Sequence, residues 1–514
     1  MRPDLSEPPI KESAIAPGPP KAGGIAERSK TLLITKCLSI VLMLFGSLTT
    51  MEAQTGPSLP NAPAVSANAS FETEQSLHFP FSGSVPTGAV STTELQLSLR
   101  DAVERGLRSN LGILLSTDVT SDARADRLRA LSALLPHVTT ETSLAVHQLE
   151  PRTTIGLRLP GVKPVVGPFG VFDTRAHWKQ NVFNWEDIER MRASGEQARA
   201  ANFNYRDAHD LVVLAVASSY LLAIADQSRV SSAQAQRDTA NALYRQTLDQ
   251  KKAGIAAAID VLRSEVELEQ REQELILARN DLAKEKLVLA RTIGLPAGQA
   301  FALITDVAFE ALPDLTLNDA LSNAYAQRSD LRSAMASVHA AELTKAATRA
   351  ERYPSITAVA DYGDIGVNPA TSHGTVNAAA QLKIPVFQGG EVHADKLHAD
   401  ALVSRARQTL GNLRGQIDQD VRDAFLDLAS SRDRVAVEKS ATELANQTLQ
   451  QARDRFASGV TDNIEIVQAQ EALATAQESY IASLYSFNVS KLDLARAIGD
   501  SEFGFENYLK GVGQ

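Results

Sequence analysis

Apolar residues along this chain follow two different periods. Val261, Leu268, Leu275, Leu282 and Leu289 recur every seven residues, and so do Ile466, Leu473, Tyr480, Phe487 and Leu494. A seven-residue ladder held over five steps predicts long helices packed side by side, in the manner of a coiled coil. Just before each ladder, residues 186–252 and 390–457 contain no proline and almost no glycine. As unbroken helices they would each reach roughly 100 Å, further than a compact core requires. Elsewhere the period is two. In FDTRAHWKQNV (172–182), Phe172, Thr174, Ala176 and Trp178 alternate with Asp173, Arg175, His177 and Lys179, and VNAAAQLKIPVF (376–387) places Val376, Ala378, Ala380, Leu382, Ile384 and Val386 on one side. Such alternation predicts strands with one apolar and one wet face. VTTETSLAVH (138–147) and SITAVADYGD (355–364) complete two hairpins, with loops at 150–170 and 363–374.

The pattern occurs twice. Asp101-Ala102 and Pro136 answer Asp319-Ala320 and Pro354 at a spacing of 218, and LARTIG (289–294) answers LARAIG (494–499) at 205. Gly254 and Gly459 interrupt the two helical regions at that same spacing of 205, as do Asp260 and Glu465. Two copies of a unit of about 200 residues are expected. Each reads as a helix of about 35 residues ending at Pro136 or Pro354, a hairpin, a very long helix, and a second long helix ending at Gly294 or Gly499.

Composition refines this picture. With 44% hydrophobic and 22% charged residues the chain is that of a folded protein. Its net charge is −10, and it remains −11 once residues 1–54 are set aside. That argues against nucleic acid, or an anionic lipid surface, as the main partner. The sole cysteine, Cys37, lies in the apolar run TLLITKCLSIVLMLFGSL (31–48), behind Arg28 and Lys30. The run reads as a secretory signal with a long n-region over 1–54; Lys36 weighs against both a membrane anchor and lipidation at Cys37. Residues 55–94, rich in Pro, Ser, Asn and Gly, read as a flexible linker. Beyond 31–48 no uninterrupted apolar run reaches about 18 residues; the nearest is 211–224. If the protein spans a membrane, it does so with strands. Four strands cannot close a barrel, and open edges are not tolerated in hydrocarbon, so several chains must contribute.

Catalytic spacings are absent. The sequence has no P-loop, G-x-S-x-G, C-x-x-C or H-E-x-x-H. His393 and His398 are five apart, the wrong spacing for a metal pair on one helix face. No enzyme, metal site or cofactor is expected.

With the repeat, the glycine-centred breaks at Gly254 and in RFASGVTDNIEIVQAQ (455–470), and the strand exit IPVFQGGEVHADKLHADA (384–401) quoted, the chain from about 95 to 500 resembles a TolC-type outer-membrane efflux protein. VFNW (182–185) stands at the corresponding exit of the first copy, without the glycine pair. The resemblance implies a mainly α fold with a transmembrane β portion. In it, a homotrimer builds a 12-stranded β-barrel from four strands per chain and a periplasmic α-barrel from the helices. It divides the chain into repeat 1 (95–305), repeat 2 (306–500) and an equatorial C-terminal segment (501–514), with 295–314 also equatorial. It implies a passive exit duct of a tripartite efflux or type I secretion system, held in outer-membrane lipid. Its partners would be a periplasmic adaptor and an inner-membrane pump of RND or ABC type. Gly254, Gly459, Thr461 and Asp462 would form the helix-reversing tips, Phe387, Gly389 and Gly390 the strand-to-helix exit, and Glu465, Asp260 and Gln468 the pore constriction. The alternatives are a periplasmic coiled-coil adaptor, which has one helical hairpin rather than two, and a structural coiled-coil protein with polar strands and no pore.

Overall fold

The structure, a computed structural model, describes residues 81, 83–150, 164–304, 315–458, 460–461, 463–501 and 508. The expected signal, most of the expected linker, and residues 305–314 of the first equatorial segment lie outside them, as does nearly all of the second.

The elements run β1 (Leu95–Leu97), α1 (Leu99–Ser109), α2 (Leu111–Ser132), β2 (His137–Leu149), β3 (Val166–Phe183), α3 (Trp185–Lys252), α4 (Ala258–Thr292), β4 (Phe301–Leu303), α5 (Leu317–Gln327), α6 (Ser329–Ala350), β5 (Ser355–Gly366), β6 (His373–Lys383), α7 (Glu391–Ala457) and α8 (Asn463–Ile498). Apart from the short pair β1 and β4, α1 to α4 with β2 and β3 and then α5 to α8 with β5 and β6 follow one order.

Local chemistry sets the helix ends. Ser98 and Asp101 form a reciprocal capping box at α1, and the Thr316 side chain accepts from Asp319 N at 3.2 Å at α5. The Asp101-Ala102 and Asp319-Ala320 matches are therefore a capping residue followed by a fully buried alanine. Leu295 N donates to Ala290 O, and 205 residues later Asp500 N donates to Ala495 O, both at 2.9 Å. Between these pairs Gly294 and Gly499 take φ of +69° and +80°. A Cβ on Gly499 would also lie 2.9 Å from the Arg328 backbone nitrogen, so the position excludes larger residues twice over.

Three expectations need correction. The helix of about 35 residues is in each case two helices, broken at Asn110 and at Arg328, whose ψ values of 130° and 123° are extended. Asn110 ends α1 and caps α2, its side chain accepting from Gly112 N at 2.9 Å and donating to Phe81 O. That second bond also corrects the linker. From Phe81 onward the chain is pinned to the helices, with Leu111 N donating to Gly83 O (2.9 Å), Val85 N to Ser109 O (2.9 Å) and Thr87 N to Gly294 O (3.1 Å). Finally, β6 stops at Lys383, leaving Ile384 and Val386 outside, because Pro385 has no N–H to offer a ladder.

The heptad ladder holds: Val261, Leu275, Leu289, Ile466, Phe487 and Leu494 are buried, and the other four members half-buried. Among the described residues α3 alone contains a stretch apolar and long enough to cross a membrane, and 72% of it is buried within the fold. It is the centre of the main core, where Val212, Val216, Tyr220 and Leu221 pack against α1, β1, β4 and the end of α4. Tyr220 Oη donates to Leu97 O at 3.0 Å.

The four-stranded sheet has the order β2-β3-β5-β6, antiparallel throughout. Each strand runs into a helix, and beneath the sheet α2, α3, α6 and α7 pack in the same order. Further along the two longest helices, α4 and α8 complete a second tier, with α4 on α3, and α8 between α3 and α7.

Candidate functional site: a two-faced sheet and two helical tips

Register assigns the sheet residues to faces, because directly opposed residues share one. Val138, Leu144, Ala176, Trp178, Ala360, Tyr362, Val376 and Leu382 fall on one face. Leu144 and Val376 are each 75% exposed and Tyr362 68%, a wide apolar surface facing outward. The opposite face is polar. There Arg175 pairs with Asp173 (2.9 Å) and with Asp361, and Asn377 donates to Asp361 at 3.1 Å. β2 and β6 are the two edges, and among the described residues no strand pairs with their outer sides. Below them α2 exposes Leu115 and Val119, and α7 exposes Leu397 and Leu426.

At the first exit from the sheet, Asn184 caps α3 directly, accepting from Glu186 N at 3.1 Å. At the second, Gly389 and Gly390 take φ of +60° and +94°, Gly390 starts α7, and Phe387 stands 89% exposed. The first copy needs no glycine pair because a side-chain cap does the work that left-handed backbone does in the second.

The far ends of the long helices form the tips. After α3, Gly254 has φ +75°, its N donating to Lys251 O (3.0 Å) while Ile255 N donates to Gln250 O (2.9 Å). Both bonds satisfy carbonyls that the helix end leaves free, and only a residue tolerant of positive φ permits them. Val460 N donates to Arg455 O at 2.9 Å, the same bond 205 residues on. Gly459 and Asp462 lie outside the described residues. Thr461 is half-buried at the bend before α8.

Asp260 sits in the first turn of α4, 3.6 Å from Arg263. Glu465 sits in the first turn of α8 and accepts from Arg455 Nη1 of α7 at 2.6 Å, closing the turn with an ion pair that sequence reading missed. Its signal was an arginine and a glutamate ten residues apart astride the break. Gln468 is exposed, one turn further along α8. Beside this turn, Leu243 of α3 packs with Leu449, Ala452, Ile466 and Ala469, holding the end of the first long helix against the second hairpin.

Within the second tier, α3, α4 and α8 bring charges together. Arg229 of α3 bridges Asp226 (2.6 Å) and Glu478 of α8 (2.9 Å). Nearby Glu285 of α4 accepts from Ser219 Oγ at 2.7 Å. Burial pushes the Glu285 carboxyl from 4.5 up to about 7, the Ser219 hydrogen bond opposing and the Asp226 charge assisting. A carboxyl raised in the folded state contributes full stability below about 4.5, and loses it as pH rises through about 7. Glu285→Gln is therefore expected to leave stability near pH 4.5 unchanged and to add about 1–2 kcal/mol at pH 8, after allowance for partial solvent access. Thermal melting of both proteins across that range checks it; parallel curves would contradict it.

The sequence model of the outer membrane efflux protein family matches residues 121–295 and 320–500. The toluene efflux pump outer membrane protein TtgC of Pseudomonas putida is 25% identical over 317 residues, 60% of this chain and 63% of that protein. The alkaline protease secretion protein AprF of Pseudomonas aeruginosa is 22% identical over 326 residues, 60% of this chain and 66% of that protein. The matched region thus spans a little under two thirds of these relatives. Among solved structures, the Campylobacter jejuni CmeC outer membrane channel superposes with a TM-score of 0.69 at 15% identity, covering 88% of this chain and 98% of that one. The Vibrio cholerae outer membrane protein VceC gives 0.67 at 16% identity, covering 78% and 96%. With both halves of the chain matched and the fold shared, the chain belongs to the outer membrane efflux protein family.

Proposed function

We propose that three copies of this chain form an outer-membrane exit duct, a passive conduit for substrates delivered by an inner-membrane pump through a periplasmic adaptor. One observation carries the reading: a four-stranded sheet with an exposed apolar face and two open edges stands on helices of roughly 100 Å. An isolated open sheet cannot reside in lipid, whereas three such sheets joined β6 to β2 make a closed 12-stranded barrel. Leu115 and Val119 of α2 and Leu397 and Leu426 of α7 lie beneath those same edges and would be covered when neighbouring chains meet. Residues 95–305 and 306–500 act as the two repeats, with 295–304 at the equator of the helical tunnel. The efflux and protease-secretion roles in the relatives' names support transport as the activity and leave the cargo open.

At the tips, Glu465 supplies a three-fold acidic ring, with Asp260 and Gln468 beside it, favouring cations and narrowing the pore. The Arg455 pair holds Glu465 against its own hairpin in the single chain, so opening and ring geometry are coupled through that bond. Single-channel recording in planar bilayers tests this. Wild type is expected to show small, cation-favouring openings. Glu465→Gln should lower the cation preference and enlarge or lengthen the openings. Unchanged selectivity would remove Glu465 from the constriction, and a folded oligomer with no conductance under any gating condition would count against the duct.

A further inference from the structure

A groove of about 490 Å³ opens where α2, α3 and α6 meet below the sheet. Its charged lining is Arg124 and Arg127 of α2, Arg192, Glu196 and Arg199 of α3, and His339 of α6. Four guanidinium groups thus face one carboxylate in a chain of net charge −10. Arg199 pairs with Glu196 at 2.9 Å, His339 Nδ1 lies 3.5 Å from the same glutamate, and Arg192 pairs with the buried Glu189 at 2.8 Å. Arg124 reaches only Asn202 Oδ1, at 3.5 Å, and among the described residues neither Arg124 nor Arg127 has an acidic partner.

The groove opens on the apolar side of the sheet. Trp185, Arg192 and Arg199 are spaced by seven on α3 and form one stripe. The Arg192 guanidinium lies 5.8 Å from the Trp185 ring centroid, and that ring lies 6.4 Å from Phe183. Phe183 stands opposite Ile356, itself opposite Leu382 on the apolar face. Trp185 is thus placed as an interfacial aromatic, and at ~1.5 Å per residue Arg192 lies about 10 Å beneath it, within side-chain reach of a headgroup layer. On α2, Leu128 and Leu131 are exposed and continue the stripe of Arg124 toward the sheet, on a different side of the helix from Leu115 and Val119, and Leu135, exposed in the turn between α2 and β2, follows them.

We propose that this groove binds the phosphodiester headgroup of an anionic phospholipid in the periplasm-facing leaflet, with an acyl chain along Leu128, Leu131 and Leu135. The inference rests on the outer-membrane placement proposed above. The leucine stripe favours a lipid over a soluble phosphate or an acidic protein segment, since only a lipid joins an anion to a chain leading into hydrocarbon. The overall acidity of the chain is no obstacle, because beyond a Debye length of about 8 Å its other charges are screened.

Native mass spectrometry of the detergent-purified full chain, titrated with phosphatidylglycerol or phosphatidylcholine, tests the proposal. Wild type is expected to retain phosphatidylglycerol preferentially. Arg127→Gln/Arg192→Gln should weaken retention about tenfold or more, the loss of two charge-assisted contacts. Arg432→Gln, an exposed arginine of α7 paired with Asp433, should leave it unchanged, with circular dichroism and oligomer size confirming that both variants fold. Equal retention of the two lipids, equal loss in the Arg432 variant, displacement by sn-glycerol 3-phosphate alone, or loss of adaptor binding with lipid retention intact would each overturn it. Wild type that fails to float with vesicles would instead defeat the outer-membrane placement itself.

Discussion

Val376→Arg is expected to keep the protein out of the membrane. Val376 lies on the edge strand β6 opposite Tyr362 and is 75% exposed on the apolar face. A charge facing lipid near the midplane of a β-barrel costs about 2–4 kcal/mol, and three chains incur it together, about 6–12 kcal/mol per assembly. Gln381→Arg is the matched control: two strand positions from Lys383, opposite Thr357, it lies on the polar face and should be tolerated. Membrane fractionation and heat-modifiable migration of the oligomer separate the two. Loss of the heat-sensitive oligomer in Val376→Arg alone is expected; equal tolerance would mean that this face does not meet lipid.

Arg328→Met is expected to destabilise the fold by about 3–5 kcal/mol. Arg328 is 5% exposed and sits at the break between α5 and α6. Its guanidinium donates to Asp330 at 2.7 Å and 3.1 Å and to Asp420 of α7 at 2.8 Å, and it approaches Ala497 O of α8 at 3.5 Å. One side chain therefore ties the break to both helices of the second hairpin, and removing it leaves the Asp330 carboxylate with the Leu331 N–H at 2.8 Å and the more distant Arg496 charge in place of a two-pronged ion pair. Arg328→Met/Asp330→Leu should recover part of the loss, because replacing both members of a partly buried pair costs less than orphaning one. Thermal unfolding of the single and double variants reads this directly. A double variant no more stable than the single would point to packing rather than charge.

Much of this fold is legible in the sequence where burial is one-sided. Leu275 and Phe487 announce themselves because a seven-residue ladder has only one helical explanation, and Ala176 with Trp178 because alternation marks a two-faced strand. Breaks at Gly254 and Gly294 are legible because glycine adopts the positive φ they require at no steric cost. What escapes sequence reading depends on distant contacts. Asn110 and Arg328 sit in locally helical sequence, and the helix breaks where Phe81 and Asp420 offer better partners. β1 and β4 are three residues each, too short to show a period, and pair across a separation of 206 residues. The candidate site divides in the same way. Glu465 and Asp260 stand out by their shared spacing from a glycine, but the Arg455 bond needs the turn to close first. The arginine groove needs three helices side by side before it exists.

In the proposed trimer β6 of one chain pairs with β2 of the next. Within one chain these strands are separated by β3 and β5, about 14 Å, beyond the reach of a disulfide. Cys37 is the only native cysteine, so engineered pairs can be read cleanly. Thr142→Cys on β2 would be combined in turn with Val376→Cys, Ala378→Cys and Ala380→Cys on β6, oxidised in isolated outer membranes and resolved without reductant. Covalent dimers and trimers, abolished by reductant and absent from either single-cysteine parent, are expected for the pair in register. Folded protein that stays monomeric for every pair would contradict the closed trimeric barrel.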